Sequence, residues 1–237
     1  MVLGPGDRIY AIGDIHGRSD LLDRLYRLIH ADSAKEPPGG RLVVHLGDYV
    51  DRGADSRGVI ERVIAPPLPG FRSVALLGNH DHMMRVFMRE PLAIGPGWMM
   101  NGAAATFMSY GVEPPRRPDG FEFERARIAL DRALPPSHRA FLDTLAPLFR
   151  HDRFLFVHAG IRPGVPVELQ RPDDLIWIRE EFLDSPADHG SIVVHGHTIT
   201  PEPEFRANRI GIDTGAYRSG RLTALRLGGG TVKILQT

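Results

Sequence analysis

Gly47-Asp48-Tyr49-Val50-Asp51-Arg52-Gly53 follows the apolar run Leu42 to Leu46 and places two carboxylates and a guanidinium in seven residues. A run that stops abruptly in glycine and acid reads as a buried strand leading into a polar turn. Two more segments repeat the arrangement. Gly13-Asp14-Ile15-His16-Gly17 follows the strand Arg8 to Ile12, and Gly78-Asn79-His80-Asp81 follows Phe71 to Leu77. Between them, Leu21, Leu22, Leu25, Leu28 and Ile29, and then Val59, Ile60 and Val63, recur at helical spacing. Asp32 to Gly40 forms a loop. The first third therefore alternates strand and helix, the pattern of a right-handed parallel α/β arrangement.

The middle of the chain departs from that rhythm. A helix is expected from His82 to Glu90, then a Gly- and Met-containing stretch from Gly95 to Gly111, a proline-rich loop from Pro114 to Gly120, and helices over Phe123 to Leu134 and Ser137 to Leu145. We read residues 83–145 as an insertion forming a helical cap or one wall of a cleft. Trp98, Met99 and Met100 either line that cleft or pack in the core, the commoner fate of such a cluster. Arg116 and Arg117 suit a solvated loop better than a site for an acidic or phosphorylated partner. Strands return at Phe154 to Val157, Ile192 to His195, Arg209 to Asp213, Leu222 to Leu227 and Val232 to Leu235, with Gly228-Gly229-Gly230 suited to a hairpin between the last two.

The 237 residues suffice for one domain over 1–237, and no repeat divides them. Lys and Arg total 29 and Asp and Glu total 29, so no bulk field recruits nucleic acid or an anionic membrane. With no cysteine, disulfides, thiolate nucleophiles and sulfur-ligated zinc are excluded, and any metal must take nitrogen and oxygen ligands. Met1-Val2-Leu3-Gly4-Pro5 shows no basic segment leading into a long apolar one, so a cytoplasmic protein without a membrane partner is expected. Oligomeric state leaves no trace in the sequence.

Position matters as much as identity. Asp14, Asp48, Asn79, His158 and the pair His195/His197 each lie at, or just beyond, the end of an apolar strand run. Ligands of open α/β sheets gather outside the carboxyl ends of the strands, so these residues can converge on one crevice. Asp14 and His16, two apart between glycines, suit a tight turn aimed at one ion. Singly, each motif also reads as a polar turn or a core histidine; together they point to a metal site of hard oxygen and imidazole ligands.

These segments resemble the GDxHG, GDxVDRG and GNH[DE] signatures of the calcineurin-like metallophosphoesterases, specifically the phosphoprotein phosphatase branch in its bacterial and phage form. His158-Ala159-Gly160 and His195-Gly196-His197 follow in the family's order, so the resemblance runs from Ile9 to Asp213. It implies a four-layer α/β/β/α sandwich holding two divalent metal ions. Asp14 and His16 would bind the first metal, Asp48 would bridge both, and Asn79, His158 and His197 would bind the second; His195 is left second-shell or substrate-facing. Such a pair of ions lowers the pKa of a bridging water and aims the hydroxide at phosphorus. Manganese is expected, with iron or zinc as alternatives.

The resemblance further implies that Arg52, together with Arg179 of Leu175-Ile176-Trp177-Ile178-Arg179-Glu180-Glu181-Phe182, clamps the phosphoryl oxygens. His80 would protonate the leaving group while Asp51 orients it. The expected activity is serine/threonine-type protein phosphatase, acting on a phosphoprotein or small phosphoester. Asp81 stands where many members carry glutamate and resembles the diadenosine tetraphosphate hydrolases, making symmetrical cleavage of that dinucleotide the alternative. A non-catalytic scaffold of the same fold is a third reading, which the complete ligand set disfavours.

Overall fold

Successive residues of a strand face opposite sides, and here both sides of the central strands are apolar. The computed structural model describes residues 6–36, 38–117 and 119–237; Met1 to Pro5, and Pro37 and Pro118 within two expected loops, lie outside the described residues. In the first sheet β1 (Arg8–Ile12), β2 (Arg41–His45) and β3 (Arg72–Ala75) run parallel. In the second, β4 (Leu148–His151), β5 (Phe154–Val157), β6 (Ile192–His195), β7 (Glu204–Phe205) and β8 (Arg209–Gly211) take the order β4-β5-β6-β8-β7, parallel through β5, β6 and β8 with antiparallel edges. The chain then returns to the first sheet as the hairpin β9 (Thr223–Gly228) and β10 (Thr231–Gln236), giving the order β10-β9-β1-β2-β3.

Alternate residues sort into three apolar clusters. Ile9 and Ala11 of β1, Val44, Phe156, Val194 and Leu225 meet between the sheets. Tyr10, Ile12 and Val43 face outward under α1 (Ser19–Ser33) and α2 (Ser56–Ile64). On the far side Leu155, Val157 and Val193 lie under α8 (Pro172–Trp177) and α9 (Glu180–Leu183). The order of layers is helix, sheet, sheet, helix, the expected sandwich. Truncating a fully buried ring such as Phe156 in a core of this kind costs about 3–5 kcal/mol.

The middle segment folds as α3 (Asn79–Phe87), α4 (Pro91–Met100), α5 (Ala103–Ser109), α6 (Gly120–Ala133) and α7 (Pro136–Thr144). Met83, Phe87, Trp98, Phe107 and Phe123 from these helices join the same cluster as Tyr10 and Ile12. Two features differ from the sequence reading. The helix expected from His82 begins at Asn79, because Asp81 turns back and accepts the Gly78 N–H at 3.1 Å. Gly95 to Gly111, given no element, forms most of two helices although α4 contains Gly95, Pro96 and Gly97, poor formers overridden by the burial of Trp98. The edge strands β4 and β7 were not anticipated; at four and two residues they are too short to show a period. No helix among the described residues is long and apolar enough to cross a membrane.

His45, at the end of β2, is buried, and Tyr26 Oη meets its Nε2 at 2.8 Å. Burial pushes its pKa from 6.5 down to about 4. The fold accepts the neutral ring while the unfolded chain protonates below pH 6.5, so stability falls as pH drops from 6.5 towards 4. The shift makes His45 responsible for about 3 kcal/mol of that loss. Because the buried carboxyl of Asp213, raised to about 6, pulls the other way, the comparison that isolates His45 is with His45→Gln. Urea unfolding across this pH range should show a flatter decline for the variant; identical declines would contradict the assignment.

Candidate metal centre and active site

The carboxyl ends of β1, β2, β3, β5 and β6 all open towards one edge of the sandwich, and the turns that leave them interlock. Gly78 allows this on one side: a methyl group there would collide with the Asp48 backbone nitrogen and Oδ1. Gly196 does the same across the two sheets, where a methyl group would strike Asp14 Oδ1. Six described residues other than glycine have left-handed φ, and five belong to these turns: His16 (45°), Asp48 (52°), Asp51 (72°), Arg52 (68°) and His197 (62°). Each such residue costs on the order of 1–3 kcal/mol unless its surroundings fix it.

Asp48 lies at the meeting point. Its Oδ1 accepts the His80 backbone N–H at 3.0 Å and lies 3.5 Å from His158 Nε2, while Oδ2 lies 3.3 Å from His16 Nε2 and 4.0 Å from His80 Nε2. Burial alone would raise this carboxyl, but positive charge on the surrounding imidazoles of His158, His80, His16 and His197 lowers it, and its proton and theirs are exchanged within one buried group. Asp48, His16 and His80 form one buried group of potential ligands, and Asp48, His158 and His197 another, with the ligand atoms of each within 4.8 Å of one another. The shared carboxylate joins the two groups.

The ring orientations are set from outside. His16 Nδ1 donates to Val50 O at 2.8 Å and His158 Nδ1 donates to Leu46 O at 2.9 Å, so each ring turns Nε2 inward. Burial lowers the pKa of all three inner imidazoles, His16 to about 3, which keeps their lone pairs free at neutral pH. His158 Nε2 faces the Asn79 carboxamide oxygen at 2.9 Å, two acceptors that a shared cation would satisfy. His197 Nε2 is buried without a partner. Asp14 and Asp213, both buried, share a side-chain contact, and burial followed by neighbouring carboxylates raises Asp14 well above its ordinary value. Neutral imidazoles offer lone pairs, and positive charge beside the raised carboxyls would favour their ionised form, so the donor set fits two divalent cations.

The sequence-expected ligands all converge, with differences of detail. Asp14 stands outside both compact groups, accepting the His197 N–H at 3.0 Å and lying 4.0 Å from His158 Nδ1. His80 stands beside His16 and Asp48, yet its Nδ1 is committed to Asp51 Oδ2 at 2.7 Å. Arg52 donates to His16 Nε2 at 2.8 Å and His80 Nε2 at 3.0 Å, so a cation on His16 competes with the guanidinium for that nitrogen. Arg179 is exposed at the rim and reaches Thr198 Oγ1 at 3.1 Å, where its charge bears on His197 and His158. His195 lies apart from both groups, buried edge-on to Phe182 at 5.2 Å and 3.4 Å from an Arg209 nitrogen.

Three groups near the site escaped the sequence reading. Asp213 ends an apolar run as Asp14 and Asp48 do, a signal that was present. Tyr217, in α10 (Ala216–Ser219), lies 4.8 Å beneath the Arg52 guanidinium and 5.6 Å from the His16 ring. Thr106 bonds Asp51 from α5. Neither Tyr217 nor Thr106 sits in a motif that marks it.

Comparison with known proteins follows the same lines. The family model described as calcineurin-like phosphoesterase matches residues 7–224. The bis(5'-nucleosyl)-tetraphosphatase PrpE [asymmetrical] of Anoxybacillus flavithermus is 25% identical over 236 residues, covering 91% of this chain and 88% of that protein. The serine/threonine-protein phosphatase 1 of Salmonella typhimurium is 27% identical over 235 residues, covering 92% and 91%. Among solved structures, the cold-active protein-tyrosine phosphatase of a psychrophilic Shewanella species shares the fold, with TM-score 0.60 at 16% identity over 99% of this chain and 83% of that one.

Asp81 stands where many members of the family carry glutamate. It is fully buried and accepts the backbone N–H groups of Asp48 (2.8 Å), Tyr49 (3.0 Å) and Gly78 (3.1 Å). That is a clamp on the Asp48 turn. Asp81→Ala leaves three buried donors without this acceptor and should destabilise by about 3 kcal/mol or more. Asp81→Glu should lower kcat on phosphopeptide and dinucleotide alike; a changed ratio between them, at unchanged unfolding midpoint, would show that Asp81 selects substrate after all.

Proposed function

The chain belongs to the calcineurin-like phosphoesterases, and we propose that within this family it is a phosphomonoester hydrolase of the bacterial serine/threonine-type protein phosphatase class. The observation that carries the reading is one buried carboxylate, Asp48, shared by two buried imidazole groups beside a carboxylate-held His80 and a guanidinium. In this reading the fold is a single domain over 1–237, with residues 83–145 as the helical wall of the cleft.

Asp14, His16 and Asp48 would hold one divalent ion and Asp48, Asn79, His158 and His197 the other, manganese being the expected metal. When bound, the pair supplies Lewis acidity and an acidified water. Arg52 binds the phosphoryl oxygens as charge builds on them, and Arg179 at the rim completes the clamp. Once Arg52 turns from His80 Nε2 to the phosphoryl oxygens, that nitrogen can carry a proton and donate it to the leaving oxygen, while Asp51, bonded to Nδ1, keeps the ring facing the phosphoryl group. No side chain becomes phosphorylated.

A second reading, hydrolysis of a dinucleoside tetraphosphate, draws support from the relatives named for it, whose designation is asymmetrical rather than the symmetrical cleavage expected from sequence. The partly exposed ring of Trp177, 6.2 Å from His197, is a surface on which a base can stack. Turnover with added manganese on a phosphoserine peptide and on diadenosine tetraphosphate decides between the readings. Faster peptide hydrolysis is expected, and turnover of the dinucleotide alone would overturn it; ATP with AMP marks asymmetrical cleavage and two ADP symmetrical. Asp48→Asn should lose both metals by elemental analysis and at least about 100-fold in kcat. Full metal content with full activity would remove Asp48 from its bridging role.

A further inference from the structure

We propose that Trp98 and Thr106, on helices that lie outside every sequence motif of the site, are positioning residues that hold Asp51 against His80. The proposal rests on the reading of His80 as proton donor. Asp51 is fully buried with a left-handed backbone, φ 72°, and the hydrogen-bond partners of its carboxylate, Thr106, Trp98 and His80, all lie outside its own turn. The restraint comes from α4 and α5, on either side of the turn that joins them. Thr106 Oγ1 donates to Asp51 Oδ1 at 2.6 Å, and Trp98 Nε1 donates to Oδ2 at 2.7 Å, the same oxygen that accepts from His80 Nδ1 at 2.7 Å. Thr106 Oγ1 also accepts the Asp51 backbone N–H at 2.8 Å and lies 3.0 Å from Ser56 Oγ, which fills the bonding capacity of one hydroxyl.

These bonds fix both the plane and the position of the carboxylate. One oxygen is held by the hydroxyl and the other by the indole, leaving a single direction from which His80 can donate. Between the two donors, Gly102 O accepts the Arg52 N–H at 3.2 Å, so the same corner also anchors the backbone of the phosphoryl-facing guanidinium. Trp98 and Thr106 are fully buried and do not reach the substrate. They act through Asp51, and their loss misorients His80 without removing it.

A merely structural role would lower stability and slow every substrate equally. A positioning role slows the step that needs the proton, and that need is greatest for a poor leaving group. The test compares Thr106→Val, Thr106→Ser and Trp98→Phe with His80→Asn in the manganese-loaded enzyme, on phenyl phosphate and on nitrophenyl phosphate. Thr106→Val keeps the shape and removes the hydroxyl; Trp98→Phe keeps a ring and removes the donor, and serves if the first variant does not fold.

For Thr106→Val and Trp98→Phe we expect kcat on phenyl phosphate to fall about tenfold, with KM, metal content and kcat on nitrophenyl phosphate within about twofold of the parent. Thr106→Ser should restore the parent rates. Equal losses on the two esters, or no loss where His80→Asn shows the selective one, would overturn the positioning role and leave the acid intact. If His80→Asn itself loses equally on both esters, the acid assignment fails, and the positioning role with it.

Discussion

The site is organised by one buried carboxylate. Asp48 has a left-handed backbone, its N–H is taken by Asp81, and its two oxygens are divided between the His16 and His158 sides. An unpaired ionised carboxylate at this depth would be prohibitive, so the imidazoles and backbone donors around it are requirements of its burial as much as of chemistry. The turns that carry them are strained in turn, and they keep their conformation because each is held by another. Asp81 secures the turn after β2 from the turn after β3, and the Asp14 carboxylate, from the turn after β1, holds the His197 N–H across the two sheets.

This interdependence explains why helices from the middle of the chain matter to a site made at strand ends. The turn after β2 carries Asp48, Asp51 and Arg52, and it is gripped from one side by Asp81 and from the other by the α4–α5 corner. The helical segment is thus more than cover for the sheet. It adds Trp98 and Phe107 to the core and at the same time sets the backbone on which a carboxylate and a guanidinium stand.

Much of this was legible in the chain. The strands β1, β2, β5 and β6 announce themselves as apolar runs, and the chain just beyond each carries the acid or imidazole that converges on the site, Asp14, Asp48, His158 and His197. The stacking of two sheets was available from family likeness, because alternation of strand and helix alone also permits a single three-layer sheet. What stayed hidden depends on partners distant in sequence. His195 has the same local setting as His197, and only Phe182 and Arg209 place it in a separate packing environment. Asp81 adjoins His80 in sequence, and its bonds to the backbone nitrogens of Asp48 and Tyr49, far off along the chain, leave no local mark. The left-handed φ values of His16, Asp51 and His197 carry no residue-type signature, and α4 hid behind glycine and proline.

One consequence follows from the apolar layer between the sheets. His16, Asp48 and Asn79 stand on turns of the first sheet, whereas His158 and His197 stand on the second. The span between the halves of the centre is therefore gauged by side chains such as Ala11, Val44, Phe156 and Val194, which touch no substrate. Their combined thickness works as a calliper. Drift in the volume of any of them must be matched by a neighbour, or the spacing of the two ligand groups changes, so selection for chemistry reaches deep into residues that would otherwise answer only for folding.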